Sequence, residues 1–153
     1  MNSMKRSNQE GFTLLEVLIS LAVFSIGVLA VVALQTSAIQ GNSSANHMTE
    51  ASILAQDKVE ELMTLPITHA FLNDQDGDDG GAGVGGGLDD VGFDGNPGTQ
   101  GDADYQITQD NNFYSVHWNV ARNYPNTNNR TIRVIVTWNQ GGRARSVSFD
   151  CVR

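Results

Sequence analysis

Apolar residues form one nearly unbroken run close to the N-terminus, over residues 12–34, and Glu16 is the only charged residue inside it. As a helix, about 23 residues rising ~1.5 Å each extend roughly 35 Å, enough to cross a ~30 Å hydrocarbon core. Lys5 and Arg6 precede the run. The positive-inside rule therefore predicts one membrane-spanning helix with a cytoplasmic N-terminus.

A second helical pattern follows over residues 35–65, where apolar residues recur at steps of three and four. The apolar positions are Met48, Ala51, Ala55, Val59 and Leu62, and the polar remainder is Gln56, Asp57, Lys58, Glu60 and Glu61. Pro66 is expected to end this helix. The pattern predicts one long helix that is apolar all round at first and amphipathic later.

Residues 66–104 form a Gly- and Asp-rich segment without lysine or arginine. Such a composition buries little apolar surface, so we expect a long loop, held at Leu88, Val91 and Phe93. From residue 105 to residue 153 apolar and polar residues alternate, which predicts antiparallel strands, with a hairpin turn over residues 139–142. The predicted fold is α+β: a long N-terminal helix packed on a small antiparallel sheet of three to four strands.

Within the predicted strands, Trp118, Trp138 and Cys151 fall on the apolar phase and are expected in the core, whereas His117 falls on the polar phase. Cys151 is the single cysteine, so no intramolecular disulfide forms. The histidines lie far apart in the sequence, and no catalytic arrangement stands out. We therefore predict a protein that is not an enzyme.

The acidic loop offers one candidate metal site. Asp74, Asp76 and Asp78 have the first, third and fifth positions of a calcium loop, whose oxygen ligands suit a hard cation. The sixth position is Asp79 rather than glycine, and the twelfth is Gly85 rather than glutamate. A solvated acidic loop is therefore the main interpretation, and Ca²⁺ is the alternative; no other cofactor is expected.

At the junction between the polar N-terminus and the apolar run, a candidate cleavage site comes before the apolar residues. A secretory signal places its cleavage site after the apolar stretch, whereas here Gly11-Phe12 precedes it. Cleavage after Gly11 would leave a free amine on Phe12 at the start of the helix. Glu16 is costly in a membrane and needs a partner, and the Phe12 amine of a neighbouring chain is available.

The sequence GFTLLEVL followed by a long apolar helix resembles the type IV prepilin signature. The later segments AVFSIGVLAVVALQTSAIQ, ELMTLP, VIVTWNQGG and RSVSF are similar to PilV-type minor pilins. The resemblance implies a leader over residues 1–11, removed by a prepilin peptidase that also methylates Phe12, and a role for Glu16 in methylation or assembly. It divides the mature chain into a membrane half of the helix (12–34), an amphipathic half (35–65), a loop (66–104) and a sheet (105–153). It implies location in the bacterial inner membrane, with the C-terminal domain periplasmic, and then in a pilus.

The partners that this resemblance implies are other minor and major pilins, the prepilin peptidase and the inner-membrane assembly platform. The net charge of −8 argues against a nucleic-acid partner. Many major pilins have a proline in the apolar helix and a C-terminal cysteine pair. This chain has neither, which favours a minor subunit.

The sequence thus predicts a minor type IV pilin that primes filament assembly. The alternatives are a minor pseudopilin of a type II secretion system, a membrane-tethered calcium-dependent adhesin and a plain signal-anchored protein. A further hypothesis pairs the C-terminal arginines with the acidic loop of a neighbouring subunit; these are Arg122, Arg130, Arg133, Arg143 and Arg145.

Overall fold

The computed structural model describes residues 12–75, 87–91 and 102–153. It contains one long helix, a short 3₁₀ helix and four strands. The elements are α1 (Leu14–Thr64), η1 (Ala70–Leu72), β1 (Tyr105–Gln109), β2 (Tyr114–Arg122), β3 (Arg130–Gln140) and β4 (Arg143–Val152). The predicted α+β architecture is confirmed.

Helix α1 has 51 residues and runs without interruption through Gly27 and Gly41. It ends two residues before Pro66, as the sequence predicts. The chain divides into two compact units, residues 1–43 and residues 44–153, and the boundary falls inside α1. Each unit is therefore described by itself below.

The four strands form an antiparallel meander in the order β1-β2-β3-β4. Gly141 and Gly142 join β3 to β4, and their φ angles are +58° and +76°. A two-residue turn with two positive φ angles is the hairpin connection that matches the twist of the strands. The predicted turn is confirmed, and it sets the register of the longest strand pair.

The core of the second unit lies between the amphipathic half of α1 and one face of the sheet. Ala51, Ala55 and Leu62 are fully buried there. The sheet contributes Tyr114, Val116, Trp118, Val120, Ile132, Val134, Val136 and Trp138. Cys151 is half-buried and packs against this cluster, and burial raises the pKa of its thiol. The predicted packing of the tryptophans is confirmed.

Lys58 departs from the prediction, since the sequence pattern placed it on the polar side of the helix. It is 6% exposed, and its Nζ lies 4.1 Å from the centroid of the Trp118 ring. The ammonium also bonds Glu61 at 3.0 Å. A lysine stem packs well on an aromatic ring while the charge finds a carboxylate, so burial is tolerated here.

His117 also departs from the prediction, because the polar phase of β2 is covered rather than solvated. Asn119 on the same phase is fully buried, and its Nδ2 donates to the carbonyls of Leu88 and Asp90. The loop residues therefore form a second layer over this face of the sheet, with Leu88 buried as expected. His117 is 4% exposed, and burial lowers the pKa of its imidazole.

Two arginines from the end of the sheet satisfy carbonyls at and beyond the C-terminus of α1. This helix has no basic residue in its last turn. Arg153 Nη1 donates to the carbonyls of Leu62 and Leu65 at 3.3 and 2.5 Å, and Arg130 Nη1 donates to the carbonyl of Ile67 at 2.7 Å. Charged donors at a helix C-terminus stabilise its unpaired carbonyls.

Arg153→Met is therefore expected to lower the free energy of unfolding by about 2 kcal/mol, since it removes a charged donor from two carbonyls. Urea unfolding of the full chain in detergent micelles, followed by tryptophan fluorescence, measures the change. Arg143→Met on the exposed start of β4 is the matched control and should change stability by less than about 0.5 kcal/mol. Equal stability of the two variants would contradict the capping role.

Candidate processing and assembly site

The candidate site is the start of α1. Phe12 and Thr13 precede the helix, and the Phe12 side chain is 82% exposed. The N–H of Glu16 donates to both Oγ1 and the carbonyl of Thr13, at 3.3 and 3.1 Å. Thr13 is therefore the N-cap of α1. Gly11, the predicted peptidase recognition residue, lies outside the described residues.

Glu16 lies in the first turn of α1 and is exposed. Thr13 and Glu16 have the spacing of a capping box, a signal that the sequence interpretation missed. A carboxylate in the first turn also interacts favourably with the helix dipole, by about 0.3–1 kcal/mol. Glu16 thus has a local role in the helix besides the predicted role between subunits.

The apolar surface of this unit is uncovered. Every residue from 12 to 43 is exposed, and large side chains such as Phe24 and Leu29 are each 69% exposed. A continuous apolar surface of this kind is unfavourable in water and requires lipid or other helices around it. Among the described residues, α1 is the one helix long and apolar enough to cross a membrane.

Three hydroxyl groups in this segment donate to carbonyls of the same helix. Ser20 donates to the carbonyl of Glu16 at 2.7 Å, and Ser25 donates to that of Leu21 at 2.7 Å. Thr36 donates to the carbonyl of Val32 at 3.0 Å. Hydroxyls bonded to their own helix need no water, which suits a hydrocarbon environment.

The chemistry available at this site is electrostatic. A free amine on Phe12 and a carboxylate on Glu16 would lie about one helical turn apart on the same chain. Phe12 and Glu16 are both exposed, and the Glu16 carboxylate forms no ion pair with a described residue. Their opposite charges can therefore serve a contact between chains.

The candidate calcium site is described only at Asp74, because Asp76 and Asp78 lie outside the described residues. The carboxylate of Asp74 lies 3.7 Å from Nε of Arg122. Among the described residues, no group of three or more metal-ligating side chains comes together. Calcium binding stays a prediction.

Several of the C-terminal arginines have partners within the chain. Arg133 forms a bidentate ion pair with Asp150, in which Nε and Nη2 donate to the two carboxylate oxygens at 2.6 and 2.7 Å. It also forms an ion pair with Asp89. The guanidinium holds the pKa of Asp150 below its usual range. Together with Arg122 and Arg130, Arg133 is thus engaged locally. Arg143 and Arg145 are the members of the set for which the hypothesis of pairing between subunits remains open.

Comparison with protein families adds a finding at the candidate site. Residues 6–32 match the model of the prokaryotic N-terminal methylation motif, which is typical of type IV prepilin-like proteins. No curated protein and no solved structure matches the chain.

The class that the motif and the fold support is that of type IV pilin-like and pseudopilin-like proteins. The motif implies processing by a prepilin peptidase, and with the single apolar helix it fits a membrane-anchored structural subunit. The exposed residues 12–43 include all of the matched region that the structure describes, residues 12–32.

Proposed function

We propose that this chain is a minor type IV pilin, a non-enzymatic subunit that primes assembly of a pilus from the bacterial inner membrane. The observation that carries the proposal is that the methylation motif coincides with an exposed segment, residues 12–43, which belongs to α1 from Leu14 onward. Such a helix needs lipid before assembly and neighbouring helices after it.

The precursor is held with its N-terminus in the cytoplasm, because Lys5 and Arg6 flank the apolar run on that side. The prepilin peptidase cuts after Gly11 and methylates Phe12. The mature subunit stays in the membrane until other pilins dock beside it. The unit of residues 44–153 then faces the periplasm and later the filament surface.

Pairing between the Phe12 amine and Glu16 of adjacent subunits sets their relative position. At ~4 Å and an effective dielectric constant near 20, two opposite charges attract by about 4 kcal/mol. A subunit that docks out of position leaves both charges unpaired in an apolar medium, at a cost of several kcal/mol. The ion pair therefore favours one relative position of adjacent helices along the filament over the others.

The assignment to a minor subunit is supported by the departures of the sequence from major pilins. Residues 30–33 are Ala-Val-Val-Ala without a proline, and Cys151 has no second cysteine. A subunit that primes assembly is needed in few copies per filament. A minor pseudopilin of a secretion system has the same N-terminal chemistry and is the competing assignment.

The test is to delete the gene in its own host and restore it on a plasmid. A priming subunit predicts that deletion lowers the number of surface filaments at least tenfold, while the few that remain are built of the major pilin. Electron microscopy and immunoblots of sheared fractions provide these counts. Restoration by the plasmid copy is the control.

The competing assignments give different results in the same strains. Loss of enzyme secretion with normal filament number would identify a pseudopilin instead. Normal filament number and normal secretion would leave an adhesin or a simple anchored protein, and the proposal would be wrong.

A further inference from the structure

The outer edge of β4 is the feature that the proposed function leaves unused. β4 is the last strand of the sheet, and no described strand pairs with its outer side. Arg130 and Arg153 exchange both backbone hydrogen bonds at 2.8 Å, so the ladder to β3 continues at every second residue of β4. The remaining residues direct their N–H and C=O groups outward: Ala144, Ser146, Ser148, Asp150 and Val152.

Proteins normally protect such edges with short strands, bulges, proline or charge. The other edge strand, β1, has five residues, whereas β4 has ten. The register of β4 runs without a bulge from Val152, opposite Thr131, to Arg143, opposite Gln140. β4 contains no proline. The protection is therefore limited to charged side chains, Arg143 and Arg145 near its start and Asp150 near its end.

On the face of β4 that also packs against α1, the side chains change along the strand from charged to apolar. Arg143 and Arg145 are exposed, and neither forms an ion pair with a described residue. Val147 and Phe149 follow on the same face and are half-buried at the margin of the core. An incoming chain would thus meet positive charge near the hairpin and apolar surface farther along.

We propose that the outer edge of β4 binds an extended segment of another protein as a fifth strand, with acidic side chains beside Arg143 and Arg145 and apolar side chains beside Val147 and Phe149. Main-chain hydrogen bonds supply affinity in this mode, and alternate side chains supply specificity. That the segment belongs to a neighbouring filament subunit rests on the proposed function; the binding itself does not.

A second copy of β4 is a poor occupant of this edge. Its only acid, Asp150, lies on the opposite face and is held by Arg133. A strand from a different surface or a different subunit is needed to bring acids to the arginines. The contact is therefore heterologous, the kind that extends along a filament rather than closing into a dimer.

The test measures binding of fluorescent nine-residue peptides to the mature full chain in detergent micelles, by fluorescence anisotropy. In one peptide every second residue is Thr. The residues between them, which would lie beside the arginines and Val147 and Phe149, are Asp at one end and Val at the other. A second peptide carries Lys in place of Asp. We expect the Asp peptide to bind at least tenfold more tightly than the Lys peptide.

Backbone pairing is tested separately from charge. Two further Asp peptides carry N-methyl groups on one or the other set of alternate amides. Methylation of the set facing β4 removes its hydrogen bonds, whereas methylation of the other set does not, so one peptide should lose binding and the other should keep it. Equal binding of both methylated peptides, or equal binding of the Asp and Lys peptides, would overturn the proposal.

Variants of the chain test the same contacts. The double substitution Arg143→Glu and Arg145→Glu should weaken binding of the Asp peptide at least tenfold. Ser148→Pro removes one outward N–H without interrupting the ladder to β3, and should weaken binding, whereas Ser148→Ala should not. Thermal melts of each variant verify folding. Processing at Gly11 and filament number do not depend on these peptides, so failure here leaves the proposed function standing.

Discussion

Glu16→Gln is expected to reduce the amount of this subunit in sheared filaments at least tenfold. Glutamine keeps a polar side chain at the third position of the helix, and the backbone N–H of this residue can still donate to Oγ1 of Thr13, so the N-cap is retained. What is lost is the negative charge that would pair with the Phe12 amine of a neighbour. A loss of only about 1.4 kcal/mol of the estimated pairing energy is already a tenfold change.

Two matched variants separate pairing from capping. Glu16→Asp keeps the charge and should keep more incorporation than Glu16→Gln. Thr13→Ala removes the N-cap, at about 1 kcal/mol of helix stability, and keeps Glu16. Incorporation of Glu16→Gln at the wild-type level would contradict the pairing, and a larger loss for Thr13→Ala than for Glu16→Gln would assign the role of Glu16 to capping.

Asp104→Ala is expected to destabilise the unit of residues 44–153 by about 3 kcal/mol, because it leaves buried donors without their charged acceptor. Asp104 is 2% exposed, and its carboxylate accepts hydrogen bonds from the N–H groups of Gln75 and Val120, at 2.5 and 2.8 Å. Its own N–H donates to Oδ1 of Asn119 at 3.0 Å. These bonds fasten the loop to the second face of the sheet.

Urea unfolding of the full chain in detergent micelles measures this change. Asp104→Asn keeps one acceptor oxygen and should fall between the wild type and Asp104→Ala. Asp57→Ala, at an exposed position of α1, is the control and should stay within about 0.5 kcal/mol of the wild type. If Asp104→Ala matched this control, the loop would not be held by Asp104.

The elements that correspond to a regular spacing of apolar residues are predictable from the sequence. The helix follows from an apolar run and then a three- and four-residue repeat, and the strands follow from alternation. The turn at Gly141 and Gly142 follows from the need for positive φ angles. Each of these signals is local, so neighbouring residues alone carry it.

The contacts that fix the loop and the end of the helix were not predictable in this way. Asp104 and Asn119 are polar residues in a polar context, and only the folded chain brings Leu88 and Asp90 beside them. The arginine at position 153 meets a carbonyl 91 residues earlier, at Leu62. No spacing in the sequence encodes such pairs. The N-cap at Thr13 is different, because the Thr13–Glu16 spacing in the sequence is itself the signal.

The burial of charged and polar residues is the other property that the sequence pattern does not predict. Lys58 was assigned to the solvent side by its chemistry, but the Trp118 ring and Glu61 provide the partners that permit its burial. The alternation along β2 places His117 on the polar phase, which predicts a solvated side chain, but the structure buries it. Residues 87–91 pack there, and the carbonyls of Leu88 and Asp90 accept hydrogen bonds from Asn119.

The apolar first half of the helix, residues 12–34, contains one acid, Glu16. The proposed function depends on whether the mature polypeptide begins at the start of this half. Intact mass spectrometry of the protein purified from its own host membranes, with sequencing of the N-terminal peptide, measures this directly. We expect a chain that starts at Phe12 and carries one methyl group on its amine. A chain that still starts at Met1, or that has been cut after residue 34, would contradict it.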